Sequence, residues 1–194
     1  MERARSRLSR EDWIGAALEA IAEGGLAAVA IVPLAARLGA TKGSFYWHFA
    51  RREALVEAAL ADWEQTHTSA VIAEIDAASE DPRQQLRVLF KRVTELAARD
   101  RIELALLATA DHPTVKPVLT RVTRRRIDFA ARLFQRLGFP PAESKRRALL
   151  AYSTYLSYAQ LVHATPQLLP QTQTARRAYL DDVLAALSSP PGQR

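Results

Sequence analysis

The sequence has no cysteine, and its 194 residues include only seven glycines, four histidines and one methionine. Without thiols, disulfides and thiolate metal sites are excluded. The glycines form no phosphate-cradling loop. The histidines, His48, His67, His112 and His163, fall in no H-E-x-x-H pattern, and no G-x-S-x-G elbow is present. Two adjacent carboxylates, Asp181 and Asp182, lie in a helical pattern where neighbours point apart. These absences speak against an enzyme, and no metal or cofactor is expected. There is also no apolar run long enough to cross a membrane and no apolar signal region at the N-terminus, so the expectation is a cytoplasmic protein with no membrane partner. β-Branched residues rarely cluster, while alanine and leucine abound; the fold class expected is all-α.

Charge is present in excess of one sign. The formal net charge is +6, which permits an anionic partner such as DNA without demonstrating one. Met1–Leu55 carries 8 Lys/Arg against 6 Asp/Glu, whereas Val115–Arg147 carries 10 against 2. The densest run, Arg124-Arg125-Arg126, spreads over 100° steps of a helix and reads as a solvated face, its aliphatic stems covering apolar neighbours, rather than one anion pocket.

Hydrophobic spacing of three and four, punctuated by glycine and proline, divides the chain into about nine helices. Ser9 and Asp12 form a capping-box start for a helix ending at Gly24-Gly25. Shorter helices are expected over Ile31–Leu38 and Lys42–Phe49, then a long one over Glu53–Ala77. Asp81-Pro82 opens another, with Leu86, Phe90, Val93 and Ala97 on one stripe. A short helix near Ile102–Ala110 precedes Val115–Leu137, which Gly138 stops. Glu143–Ala164 and Ala175–Leu187 complete the set, with a frayed tail at Ser188–Arg194.

The segment 30–49, AIVPLAARLGATKGSFYWHF, is the most informative. Leu34, Ala35 and Leu38 share one face of its first helix; Phe45 and Phe49 share one face of its second. Gly39 suits the left-handed end of a helix and Thr41 can N-cap the next. Two helices joined by such a glycine-containing turn form a helix-turn-helix, whose second helix enters the DNA major groove by its N-terminal end. Gly43, Tyr46 and Trp47 share the face opposite the two phenylalanines.

The run LGATKGSFYWHFARREAL resembles the signature of the TetR family of bacterial transcriptional regulators, and the likeness extends from about Arg7 to His67. One departure is Ala30, where the family usually carries a serine or threonine cap. The resemblance implies an N-terminal DNA-binding domain over 7–67 and a C-terminal ligand-binding and dimerisation domain over 68–189. It also implies that Lys42 and Gly43 face base edges, while Thr41, Ser44, Tyr46, Trp47, His48 and Arg52 hold phosphates. The arm with Arg3, Arg5 and Arg7 reads either as a minor-groove contact or as a solvated tail.

The function implied is a ligand-responsive repressor that binds a palindromic operator in double-stranded DNA as a homodimer. The alternative from another class is a helical ligand-binding or scaffolding protein without sequence-specific DNA binding. Aromatics with polar tips in the larger bundle make Trp63, Phe90, Phe129, Tyr152 and Tyr155 candidates for contact with an unknown small-molecule effector. By the same resemblance the last two long helices pair with their two-fold copy. Leu156, Ala159, Leu180, Val183, Leu184 and Leu187 are the candidate interface, an apolar surface wider than one helix of a small monomer needs to bury.

Overall fold

In the computed structural model, which describes residues 8–189, every regular element among those residues is helical. The order is α1 (Arg10–Gly24), α2 (Ile31–Arg37), α3 (Lys42–Tyr46), α4 (Arg52–Glu64), α5 (Ala70–Ala78), α6 (Pro82–Arg99), α7 (Ile102–Leu107), α8 (Val115–Arg136), α9 (Pro141–Ala164) and α10 (Gln173–Ser188). A π-helical turn, Gln65–Ser69, joins α4 to α5, so the single long helix expected over Glu53–Ala77 is interrupted in its hydrogen-bond register. Counting α4 and α5 as one gives nine helices among the described residues. The arm bearing Arg3, Arg5 and Arg7 and the end of the tail, 190–194, lie outside them.

Two compact units are present. The first takes in Met1–Gln65 and Ile102–Leu119; the second takes in Thr66–Arg101 and Thr120–Arg194. The first unit is thus discontinuous in sequence, and α7 packs against α1 within it.

In the first unit the helix ends are fixed by the residues expected to fix them. Ser9 and Asp12 cap α1 reciprocally, with Ser9 N–H donating to Asp12 Oδ2 at 2.7 Å and Asp12 N–H donating to Ser9 Oγ at 3.2 Å. The Ser9 backbone and hydroxyl donors hold the Asp12 carboxyl below its usual range. Helix α2 begins at Ala30 with no side-chain cap. It ends in a Schellman motif: Gly39 has φ +63°, its N–H donates to Ala36 O, and Ala40 N–H donates to Ala35 O at 2.8 Å. Thr41 Oγ1 then accepts from Ser44 N–H at 3.2 Å, starting α3 at once.

The core of this unit is aromatic. Trp13, Phe45 and Trp63 are fully buried and Phe49 nearly so. Trp13 meets Phe45 edge-on at 5.4 Å, Phe45 stacks on Phe49 at 5.8 Å, and the Arg10 guanidinium lies 4.9 Å from the Phe49 ring centre. Arg37 ties α2 to α1 through Glu23 and Glu19.

The second unit has an aliphatic and phenylalanine core that includes Ile75, Leu86, Phe90, Phe129, Leu133 and Phe134. One buried amide links three of its helices: Gln85 donates to Ile75 O at 3.3 Å and accepts from Arg136 at 2.5 Å. Gly138, at φ +94°, closes α8 as its sequence context requires, with Phe139 N–H donating back to Phe134 O at 3.2 Å.

Phe45→Ala removes the ring that contacts Trp13, Tyr46 and Phe49. It is expected to destabilise the first unit by about 3–5 kcal/mol, read from denaturant unfolding of the full chain.

Candidate functional site

Helix α3 is only five residues long, far below the length at which a helix is stable alone. It exists because Phe45 is driven into the core and Thr41 caps its start. That anchoring decides what the opposite side presents. Tyr46 is 51% exposed and Trp47 80% exposed, and Thr41, Lys42 and Gly43 are exposed beside them. Ser44 and His48 are half-buried. Helical geometry ends at Tyr46, three residues before the expected Phe49, and Trp47 and His48 continue in a turn whose N–H groups bond Ser44 O and Phe45 O.

Gly43 is instructive. A Cβ placed there would meet only Thr41 Oγ1, at an ordinary 3.6 Å. Nothing among the described residues requires glycine at this position. Arg52 has a different disposition. Its guanidinium donates to the Val29 and Leu26 carbonyls, which holds the turn that precedes α2.

A cleft of about 670 Å³, counting its open mouth, lies in the second unit. Of the aromatic candidates, Phe90, Phe129, Tyr152 and Tyr155 line it. Trp63 does not; it is fully buried in the first unit. Three polar lining residues were not among the effector candidates of the sequence: His67, Thr68 and Arg126. Arg126 Nε donates to Thr68 Oγ1 at 3.0 Å, and its terminal nitrogen donates to the His67 carbonyl at 3.1 Å. His67 Nε2 faces Asp100 Oδ2 at 3.0 Å. The π turn places His67 and Thr68 here, and nothing in their spacing announces such a turn. The triple arginine resolves into three separate fates: Arg124 is exposed, Arg125 bonds Ser69 Oγ at 2.8 Å, and Arg126 turns to the cleft.

On α9 and α10 the candidate interface residues divide. Leu184, Leu187 and Ala159 are buried inside this unit, and Leu156, Leu180 and Val183 are half-buried. The large apolar side chains that α9 exposes are others: Leu149 at 53%, Leu150 at 59% and Leu161 at 39%. Leu150, Ser153, Ser157 and Leu161 follow one another along the side of α9 away from the buried Ala148, Ala151 and Ala159.

Residues 14–59 match the family described as bacterial regulatory proteins, tetR family. No curated protein matches the sequence. Among solved structures, a TetR-like transcriptional regulator from Rhodococcus sp. RHA1 superposes with a TM-score of 0.74 at 16% identity, covering 97% of this chain and 100% of that one. A second transcriptional regulator from Rhodococcus gives 0.73 at 20% identity over 93% and 94%. A TetR-family regulator from Agrobacterium tumefaciens gives 0.72 at 16% identity over 93% and 97%. The chain carries the amino-terminal domain of the tetR family of bacterial regulatory proteins, set in the fold of TetR-family transcriptional regulators.

Proposed function

We propose that the protein is a cytoplasmic, ligand-responsive repressor that binds a palindromic operator as a homodimer. The observation that carries the DNA-binding part is the exposure of Trp47 and Tyr46 on a helix whose other side is locked into the core. The Trp47 indole stands almost wholly outside the core, and the Tyr46 phenol, in edge contact with Phe45 on one side, is open on the other beside Lys42 and Gly43. They suit a surface that meets the sugar-phosphate backbone while α3 lies in the major groove. Lys42 and Gly43 are assigned to base edges, and Thr41, Ser44, Tyr46, Trp47 and His48 to phosphates. Arg52, with its guanidinium given to two carbonyls, supports α2 and acts on DNA indirectly.

The cleft of the second unit is the effector site in this reading. An effector releases DNA only by binding the conformation that is not competent for DNA more tightly than the competent one. A chain with one reading head contacts half of a palindrome, so the operator demands a pair. The exposed leucines of α9 supply a face for the second copy. Ser153 and Ser157 between them are small enough for two helices to approach closely.

In a gel shift with DNA from upstream of its own gene, the protein should bind with a preference over unrelated DNA that survives added salt. Lys42→Ala should relax base preference by about 1–3 kcal/mol if the ammonium reads a base edge, and Tyr46→Ala should weaken binding to all sequences alike. Gly43→Ala should fold at least as well as the parent, because alanine favours a helix by about 1 kcal/mol over glycine, yet lose operator affinity. Unchanged operator binding in all three variants would falsify the reading-helix assignment.

The dimer face is tested by contrast. Leu150→Arg should give a folded monomer with weakened operator binding, seen by sedimentation and circular dichroism on one sample. Leu184→Arg should instead unfold the second unit, since its side chain belongs to that unit's core. A folded Leu150→Arg dimer with full operator affinity counts against the α9 face.

A further inference from the structure

The second-unit cleft has apolar walls, and its polar side chains are already bonded within the chain. Leu89, Phe90, Val93 and Leu96 of α6, Phe129 of α8 and Ala148 of α9 line it without a polar side-chain atom. Of the chain's six phenylalanines and five tyrosines, Phe90, Phe129, Tyr152 and Tyr155 are in the lining. Arg126 donates to Thr68 Oγ1 and to the His67 carbonyl. Both ring nitrogens of His67 are paired, Nδ1 with Thr66 Oγ1 at 2.9 Å and Nε2 with Asp100 Oδ2 at 3.0 Å. The Tyr152 hydroxyl lies 3.2 Å from Thr123 Oγ1, and the Tyr155 ring sits 6.0 Å from that of Tyr152. Arg126, His67, Tyr152 and Tyr155 have further partners in the chain.

These bonds decide what the cleft can take. An anionic head would gain Arg126 only by drawing it off Thr68 and the His67 carbonyl, and the buried Thr68 hydroxyl would then lose that partner. A cationic head would meet a like charge, with no carboxylate among the described residues that line the cleft. Either charge would also give up its water to apolar walls, a cost that only a new partner offsets. An uncharged molecule breaks none of these bonds, and its burial against apolar side chains is favourable by itself. The four aromatic residues of the lining favour a ring body, through offset and edge contacts.

We propose that the cleft binds an uncharged molecule with an aromatic body, held by the apolar walls while the bonds of Arg126 stay intact. The assignment rests on the reading of the cleft as the effector site and specifies the chemical class of the effector.

Isothermal titration of the full chain with 2-naphthalenemethanol, 2-naphthoate and 2-naphthylmethylammonium at neutral pH tests it, since the three share a body and differ in the charge of the head. The alcohol should bind at least about tenfold more tightly than either charged probe, the scale of one hydrogen-bonded pair broken without replacement. Its affinity should not fall with added salt, which weakens binding carried by a charge. Decanol, uncharged but without a ring, should bind several-fold more weakly. Val93→Trp, which adds bulk to the lining, should abolish binding of the alcohol in a chain whose circular dichroism is unchanged. The three heads on the unaltered chain decide the matter even where that variant folds poorly. Either charged probe binding as tightly as the alcohol overturns the uncharged assignment, and decanol binding as tightly overturns the aromatic body. No binding of any probe, or full binding by a folded Val93→Trp variant, overturns the cleft as the ligand site. Selective binding of the alcohol with operator affinity unmoved at saturation overturns the effector reading alone and leaves the ligand class standing.

Discussion

The first unit depends on one buried ring. Helix α3 has five residues, and its own hydrogen bonds cannot sustain it against the entropy of the chain. Phe45, in edge contact with Trp13 and stacked on Phe49, supplies the attachment. Everything that α3 presents outward follows from that inward contact. With Phe45 fixed, helical geometry puts Tyr46 and Trp47 outside, and the cap at Thr41 takes the Ser44 N–H of the first turn. The geometry of the surface proposed to read DNA is thus borrowed from an apolar contact on its far side.

The second unit is organised around polar atoms in apolar surroundings. The Gln85 amide bridges α5 and α8 from its place on α6, and Arg126 bridges α8 to the π turn. A π turn widens the helix by one residue and shifts the carbonyls that a regular helix would use internally. Here one of those carbonyls, from His67, is taken by Arg126. The extra residue in the turn and the arginine beside it therefore account for one another, and together they give an otherwise apolar cleft its polar end.

Much of the fold was legible because it is local. The capping box at Ser9, the Schellman end at Gly39, the cap at Thr41, the Asp81-Pro82 start and the stop at Gly138 each rest on residues within a turn of one another, and all stand where the sequence places them. The two faces of α3 were legible for the same reason. What escaped is nonlocal. Arg52 reaches back to Leu26 and Val29, a partnership that no spacing encodes. The basic stretch of α8 reads as a solvated face, yet one arginine in three turns inward because its partners sit 58 and 59 residues away. Leu184 and Leu187 have helical spacing suited to any apolar neighbour, and the neighbour proved to be this unit's own core.

The discontinuity of the first unit has a consequence for the order in which the protein is made. Helix α1 is covered by α7, and Leu106 and Val115, both fully buried, come from the stretch that returns to this unit. A growing chain that has passed through α4 holds α1 to α4 but not the layer that covers α1. It must next release α5 and α6, which belong elsewhere, before the remaining layer arrives. The first unit is therefore completed only after about a third of the second has been synthesised, and a fragment ended at the family-signature boundary would lack part of the layer that covers α1.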